Sequence, residues 1–228
     1  MIRFVFLDLD DTLLDFLKAE AVALRRALRE VGLDPTEEVI SLYSSINKRH
    51  WELLEEKKIT RPELLIRRFE VLYDTLGLEL SGEKTQSYYG KFLGEGHFFI
   101  PGAEDLLEAL KGKYRLFLVS NGNIPVQNGR LDSAGIRHYF ENIFISEAVG
   151  VNKPDKAFFD HCFGAIEGFR PEESIIIGDS LTSDIRGGIN AGIQTCWFNP
   201  AGKPGRADIV PDYEIRALGE LPGLLETL

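Results

Sequence analysis

Apolar residues along this chain fall into two textures. In the first, short and nearly unbroken runs stop at a polar residue: residues 2–7 (IRFVFL) at Asp8, residues 116–119 (LFLV) at Ser120, residues 143–145 (IFI) at Ser146. Residues 175–177 (III) lead through Gly178 to Asp179, and residues 195–198 (TCWF) meet Asn199-Pro200. Runs this short, without polar alternation, predict strands buried on both faces of a parallel sheet. Helical patterns lie between them, as over residues 103–110 and 184–191. Strand and helix in repeated alternation predict an α/β fold, a doubly wound parallel sheet.

The second texture occupies residues 16–96, where no strand pattern occurs. Leu17, Ala21, Leu24, Leu28 and Val31 follow a helical spacing and predict one apolar face. Asp34-Pro35-Thr36-Glu37 predicts a helix start with Asp34 as cap, and Thr60 with Glu63 predicts a second, reciprocal cap. Leu65, Phe69, Leu72 and Leu76 then mark the buried stripe of another helix. The reading is a helical bundle over 16–96 inserted into a core made of 1–15 and 97–228. The glycines of Gly94-Glu95-Gly96 would permit a flexible return, or simply form an ordinary loop.

Composition narrows the class. The 228 residues are 44% hydrophobic and 27% charged, which excludes disordered and collagen-like chains. A net charge of −10 repels polyanions, so nucleic acid polymers and anionic membranes are poor partners. No apolar stretch approaches the roughly 20 residues of a membrane span, and the first run is too short for a secretion signal. Cys162 and Cys196 are too few for a disulfide framework, which predicts a reduced, cytoplasmic protein.

Against that background, the polar residues that end the apolar runs stand out. Asp8 and Asp10 lie two apart, so on extended chain their side chains share a face at the carboxyl end of the first strand, where ligands of open α/β sheets bind. Ser120-Asn121-Gly122 offers a hydroxyl and backbone N–H groups suited to an oxyanion. Lys153 precedes Pro154, placed to open a helix; Asp179 ends a strand, and Asp184 follows five residues on. Singly, each has a bland reading as a turn, cap or surface charge. In this order, each at a strand end, they form a set.

That set resembles the haloacid dehalogenase superfamily: DLDDT at 8–12, the Ser at 120, the Lys at 153 and GDSLTSD at 178–184. The resemblance implies a Rossmann-like core with an inserted helical cap. RLDSAGIRHYFENIFISEAVGVNKP, GDSLTSDIRGGINAGIQTCWFNP and, in the cap, INKRHW and ITRPELL are similar to its pyrimidine 5′-nucleotidase branch. Asp8 is then the nucleophile, an ionised cleft carboxylate, and Asp10 the acid and base. Asp10 also speaks against carbon–halogen chemistry, because dehalogenases proper lack it. Ser120, in place of the commoner Thr, would hold phosphate oxygens with Asn121 and Lys153. Four carboxylates and a phosphate dianion face one lysine, so Mg²⁺ is implied, on the Asp8 and Asp179 carboxylates and the Asp10 carbonyl, with Asp184 behind them orienting ligands or Lys153.

The implied substrate is a small phosphate monoester, a nucleoside monophosphate in particular, bounded by a small cap. Asn47 and Trp51, one helical turn apart, are candidates to face it, with Trp51 either stacking on a base or packing in the cap's core. A sugar-phosphate phosphatase is the alternative enzyme; a phospho-accepting signalling domain without turnover is the alternative from another class. His50, His97, His138 and His161 have no metal-ligand spacing. Arg25-Arg26 and Arg67-Arg68 read as solvated helix faces. Gly187, Gly188 and Gly192 read as packing and capping residues.

Overall fold

The computed structural model describes residues 1–55 and 58–228. The chain forms two compact units, Met1–Phe16 with His97–Leu228, and Leu17–Gly96. No described helix is long and apolar enough to cross a membrane.

In the first unit the apolar runs are strands: β1 (Phe4–Leu7), β2 (Arg115–Ser120), β3 (Asn142–Ile145), β4 (Ser174–Gly178) and β5 (Gln194–Phe198). A sixth, β6 (Tyr213–Ile215), is absent from the sequence reading because only Ile215 of its three residues is buried. All pair in parallel, in the order β3-β2-β1-β4-β5-β6. Alternation in β1 serves two cores. Val5 and Leu7 pack with Leu116, Leu118, Ile175 and Ile177, and with Leu106, Leu107 and Leu110 of helix α5 (Ala103–Leu110). Phe4 and Phe6 turn the other way, toward Phe117, Ile176 and Phe158, Phe159 and Cys162 of α8 (Lys156–Gly164). Both faces are therefore dry, which is why the runs show no polar alternation. Gly188 lies where a Cβ would meet Ile176 and Thr195 at 2.5 and 2.6 Å, so its helix, α9 (Arg186–Ala191), packs close to the sheet.

The strand order places a topological switch between β1 and β4, where successive connections leave in opposite directions. Crevices at the carboxyl ends of such strands are the natural ligand sites of open α/β sheets. Lys153 and Pro154 do not open α8 themselves: Asp155 caps it, accepting from Ala157 N at 2.9 Å.

The second unit comprises α1 (Phe16–Glu30, from Leu17 on), α2 (Glu37–Glu55), α3 (Arg61–Leu76) and α4 (Gly82–Gly94). Four expectations change here. The buried stripe of α1 is Ala19, Ala23, Leu24, Ala27 and Leu28, whereas Leu17 is exposed. Small residues let that face pack closely; accordingly Gly96 lies where a Cβ would be 2.8 Å from Ala19 Cβ, a contact glycine and not a flexible linker. α2 begins after Thr36, whose hydroxyl accepts from Val39 N, because the chain turns at the buried Pro35. Arg68 is not solvated. It is buried on α3, where it donates to Asn47 Oδ1 (2.9 Å) and Gln86 Oε1 (2.8 Å) and lies over the Tyr89 ring. The Thr60–Glu63 reciprocal cap forms as read.

Candidate active site

After β1 the ladder continues one residue, with Asp8 N donating to Ile177 O at 3.0 Å. The chain then folds tightly on itself. Leu13 N and Leu14 N both donate to Leu9 O, and Asp11 N to Leu14 O. Asp11 adopts φ 58°, a left-handed conformation that Asp tolerates, and its carboxylate accepts from Phe16 N at 2.9 Å. This loop fixes Asp8 and Asp10 at the sheet's carboxyl edge. Buried Thr12 ties it to the end of β4, its Oγ1 accepting from Asp179 N at 3.1 Å.

Opposite stands Lys153. Its ammonium donates to Asp8 Oδ1 (2.7 Å), Asp184 Oδ1 (2.6 Å) and Val119 O (2.7 Å). An ammonium has three N–H bonds, so none is spare. The Asn121 side chain holds the Lys153 backbone from both sides, accepting from its N (2.8 Å) and donating to its O (2.9 Å). Asp184 sits on a wide turn, Leu181–Ile185, closed by Ile185 N donating five residues back to Ser180 O. Its second oxygen accepts from Ser180 N at 3.1 Å. A Cβ at position 178 would lie 2.3 Å from Asp184 Cγ, so only glycine leaves room for that carboxylate.

Electrostatically the site is short of positive charge. Asp8 is 7% exposed, not an open cleft carboxylate. Burial, then the neighbouring Asp184, raise its carboxyl well above the ordinary carboxylate range against the pull of Lys153. Burial together with Asp184 and Asp11 pushes Asp179 to about 7. Burial alone would lower Lys153, but Asp184 and Asp8 outweigh it and hold the ammonium firmly protonated. Asp8, Asp179 and Asp184 each offer an oxygen within 4.8 Å of the others.

Asp10 faces a second group, on α6 (Ile124–Ala134). Gln127 Nε2 donates to Asp10 Oδ2 and to Ser120 Oγ, each at 2.6 Å, and Arg130 NH1 lies 2.9 Å from Asp10 Oδ1. Ser120 is buried and also accepts from Gly122 N at 3.1 Å. Sequence reasoning missed Gln127, Arg130 and Thr12. A signal existed for the first two: they occupy the i, i+3 stripe that Val126 and Leu131 mark as buried. Asn47 and Trp51 lie in the helical unit. Asn47 is buried, donating to Glu20 Oε1 (3.1 Å) as well as accepting from Arg68. Trp51 is partly buried, and the Arg61 guanidinium lies 5.9 Å from its ring centre.

Comparison with known proteins meets the same elements. Residues 2–192 match the family model of haloacid dehalogenase-like hydrolases. The chain belongs to that family. Among relatives of this hydrolase, YfnB of Bacillus subtilis, a HAD-hydrolase, is 43% identical over 223 residues, 98% of this chain and 95% of that one. The structure of YfnB solved with magnesium bound superposes with a TM-score of 0.93, covering 98% of each chain at 42% identity. The pyrimidine 5′-nucleotidase PynA of Streptococcus pneumoniae is 39% identical, over 98% of this hydrolase and 95% of PynA. The pyrimidine 5′-nucleotidase YjjG of Escherichia coli is 34% identical, over 97% and 96%.

Proposed function

We propose that this hydrolase is a Mg²⁺-dependent phosphomonoesterase that works through an aspartyl-phosphate on Asp8, with pyrimidine nucleoside monophosphates as substrates. One observation carries the chemistry: a buried carboxylate, Asp8, anchored by Lys153 and crowded by Asp179 and Asp184, with a second carboxylate, Asp10, two residues on and separately held. The likeness to PynA and YjjG supports the substrate class. The cytoplasm suits the two free, buried cysteines.

The donor set fits a hard divalent cation: oxygens only, crowded, and held toward protonation for want of positive charge. Asp8 and Asp179 would hold Mg²⁺ through their carboxylates and Asp10 through its carbonyl. Bound there, the ion would lower the repulsion between the carboxylates and the phosphate dianion. The Asp8 carboxylate attacks phosphorus, forming the acyl phosphate as the ester P–O bond breaks. Asp10 gives its proton to the departing alkoxide, then takes one from the water that attacks the acyl phosphate. Inorganic phosphate leaves and Asp8 is restored. Lys153 contributes charge and fixes Asp8 and Asp184 against one another. Ser120 O–H and the backbone N–H groups of the 120–122 turn are the donors for the non-transferring phosphate oxygens.

A screen of phosphate monoesters with Mg²⁺ tests the reading. Many turnovers per molecule are expected, with UMP and dUMP giving higher kcat/KM than sugar phosphates. Uptake of about one phosphate per molecule would replace the enzyme by a phospho-accepting domain. Preference for sugar phosphates would move the substrate assignment while keeping the chemistry.

A further inference from the structure

Arg130 is the largest fully buried side chain in the molecule's described residues, with none of its guanidinium exposed. Its Nε, NH1 and NH2 make no hydrogen bond with any described residue, although NH1 is 2.9 Å from Asp10 Oδ1 as an ion pair. The Phe16 ring, centred 5.5 Å from the guanidinium carbon, covers it. Burying a guanidinium with so little compensation is costly, and its one charged partner among the described residues is Asp10. One turn earlier on α6, Gln127 is also buried, with its Oε1 unpaired. A carboxylate only accepts, so the amide must turn its nitrogen toward Asp10, and that nitrogen also reaches Ser120 Oγ. Gly122 makes room: a Cβ there would lie 2.3 Å from Gln127 Cγ.

We propose that Gln127 and Arg130 are positioning residues that hold the Asp10 carboxylate in one orientation, each engaging a different oxygen. The proposal rests on the acid–base role given above to Asp10. It goes beyond that role in assigning control of Asp10 to α6, an element that contributes no residue to the motif set. The Asp10 side chain is 29% exposed and would otherwise sample several rotamers. Held at both oxygens, it presents one geometry to the leaving oxygen. Gln127 couples this to Ser120, whose oxygen accepts from Gln127 and from Gly122 N, leaving its own hydrogen for another acceptor.

The test compares phenyl phosphate with para-nitrophenyl phosphate, whose better leaving group needs little proton donation. Full-length protein saturated with Mg²⁺ is assayed as wild type, Gln127→Leu, Arg130→Met and Arg130→Lys, with Asp10→Asn as reference and the melting temperature measured for each. Misplacing a catalytic group by about 1 Å costs up to about 100-fold. Gln127→Leu and Arg130→Met are therefore expected to lower kcat/KM for phenyl phosphate by roughly 10- to 100-fold, and for para-nitrophenyl phosphate by less than about 3-fold. Arg130→Lys, which keeps the charge, is expected to recover most of the phenyl phosphate activity. Equal losses on both esters, or none, in the variants would overturn the proposal while Asp10→Asn still discriminates between the esters. Should Asp10→Asn itself fail to discriminate, the acid–base role falls first. If Arg130→Met does not fold, Gln127→Leu and Arg130→Lys decide the matter by the same ratio.

Discussion

At the scale of residues, two buried carboxylates share one ammonium. Asp8→Asn leaves Lys153 paired with Asp184 and takes the trio from a net −1 to neutral. Turnover of any phosphate ester should vanish, while the melting temperature stays the same or rises. Near wild-type turnover would rule out Asp8 as nucleophile. Lys153→Met has the opposite consequence for stability. It leaves Asp8 and Asp184 facing one another unpaired, and breaking a buried pair this way costs about 3–5 kcal/mol. Chemical denaturation of the metal-free protein measures both, and equal stability of the two variants would contradict the charge argument. Asp8 was legible in the sequence because it follows an apolar run, and strand ends of a parallel sheet share one edge; Lys153 and Asp184 follow no such run and were legible only as members of the set. The roles of Arg68, Gln127 and Arg130 were not legible, although the buried stripe of α6 marked the positions of the last two. A charged or amide side chain carries no mark of burial until its partner is known, and those partners are remote in sequence.

At the scale of elements, the wide turn Leu181–Ile185 exists to carry Asp184 back under β4. Gly178→Ala should displace that carboxylate, loosening Lys153 and with it Asp8. A melting temperature drop together with at least a 10-fold loss of kcat is expected, the overpacking alone costing about 1–3 kcal/mol. An unchanged enzyme would mean that Asp184 can retreat freely. In the helical unit, Thr60→Ala removes half of a reciprocal cap and should cost about 1 kcal/mol without altering kcat. That cap was readable because Thr60 and Glu63 leave one register. Asp34-Pro35-Thr36 leaves two, and burial of Pro35, invisible in the sequence, selects Thr36. The five longer strands announced themselves as apolar runs, whereas β6, with a single buried residue, had no such signal.

At the scale of the whole molecule, the raised carboxyls make stability depend on pH and on cation. In chelator, folded Asp179 keeps its proton up to a pH of about 7, whereas an unfolded Asp releases it near pH 4. The folded state binds the extra proton across that interval, so this contribution is fully present below about pH 4 and is lost as pH rises toward 7. Asp8, raised for similar reasons, acts in the same direction. The metal-free protein should therefore melt lower at pH 8 than at pH 5, and Asp179→Asn should narrow that gap. Mg²⁺ at pH 8 should raise the melting temperature of wild type far more than that of Asp179→Asn. A gap unchanged by the substitution would place its origin elsewhere. The position of β1 in mid-sheet bears on how the chain is made. β1 is made before the helical unit, whose consecutive helices make local contacts and can fold at once. One edge of β1 must then wait for Arg115 and the rest of β2, and the other until Ser174 and the rest of β4 emerge. Until β2 is made the Phe-Val-Phe-Leu segment has nothing to pair with, and its second edge stays open until β4 is made, so the nascent chain is prone to aggregate up to that point.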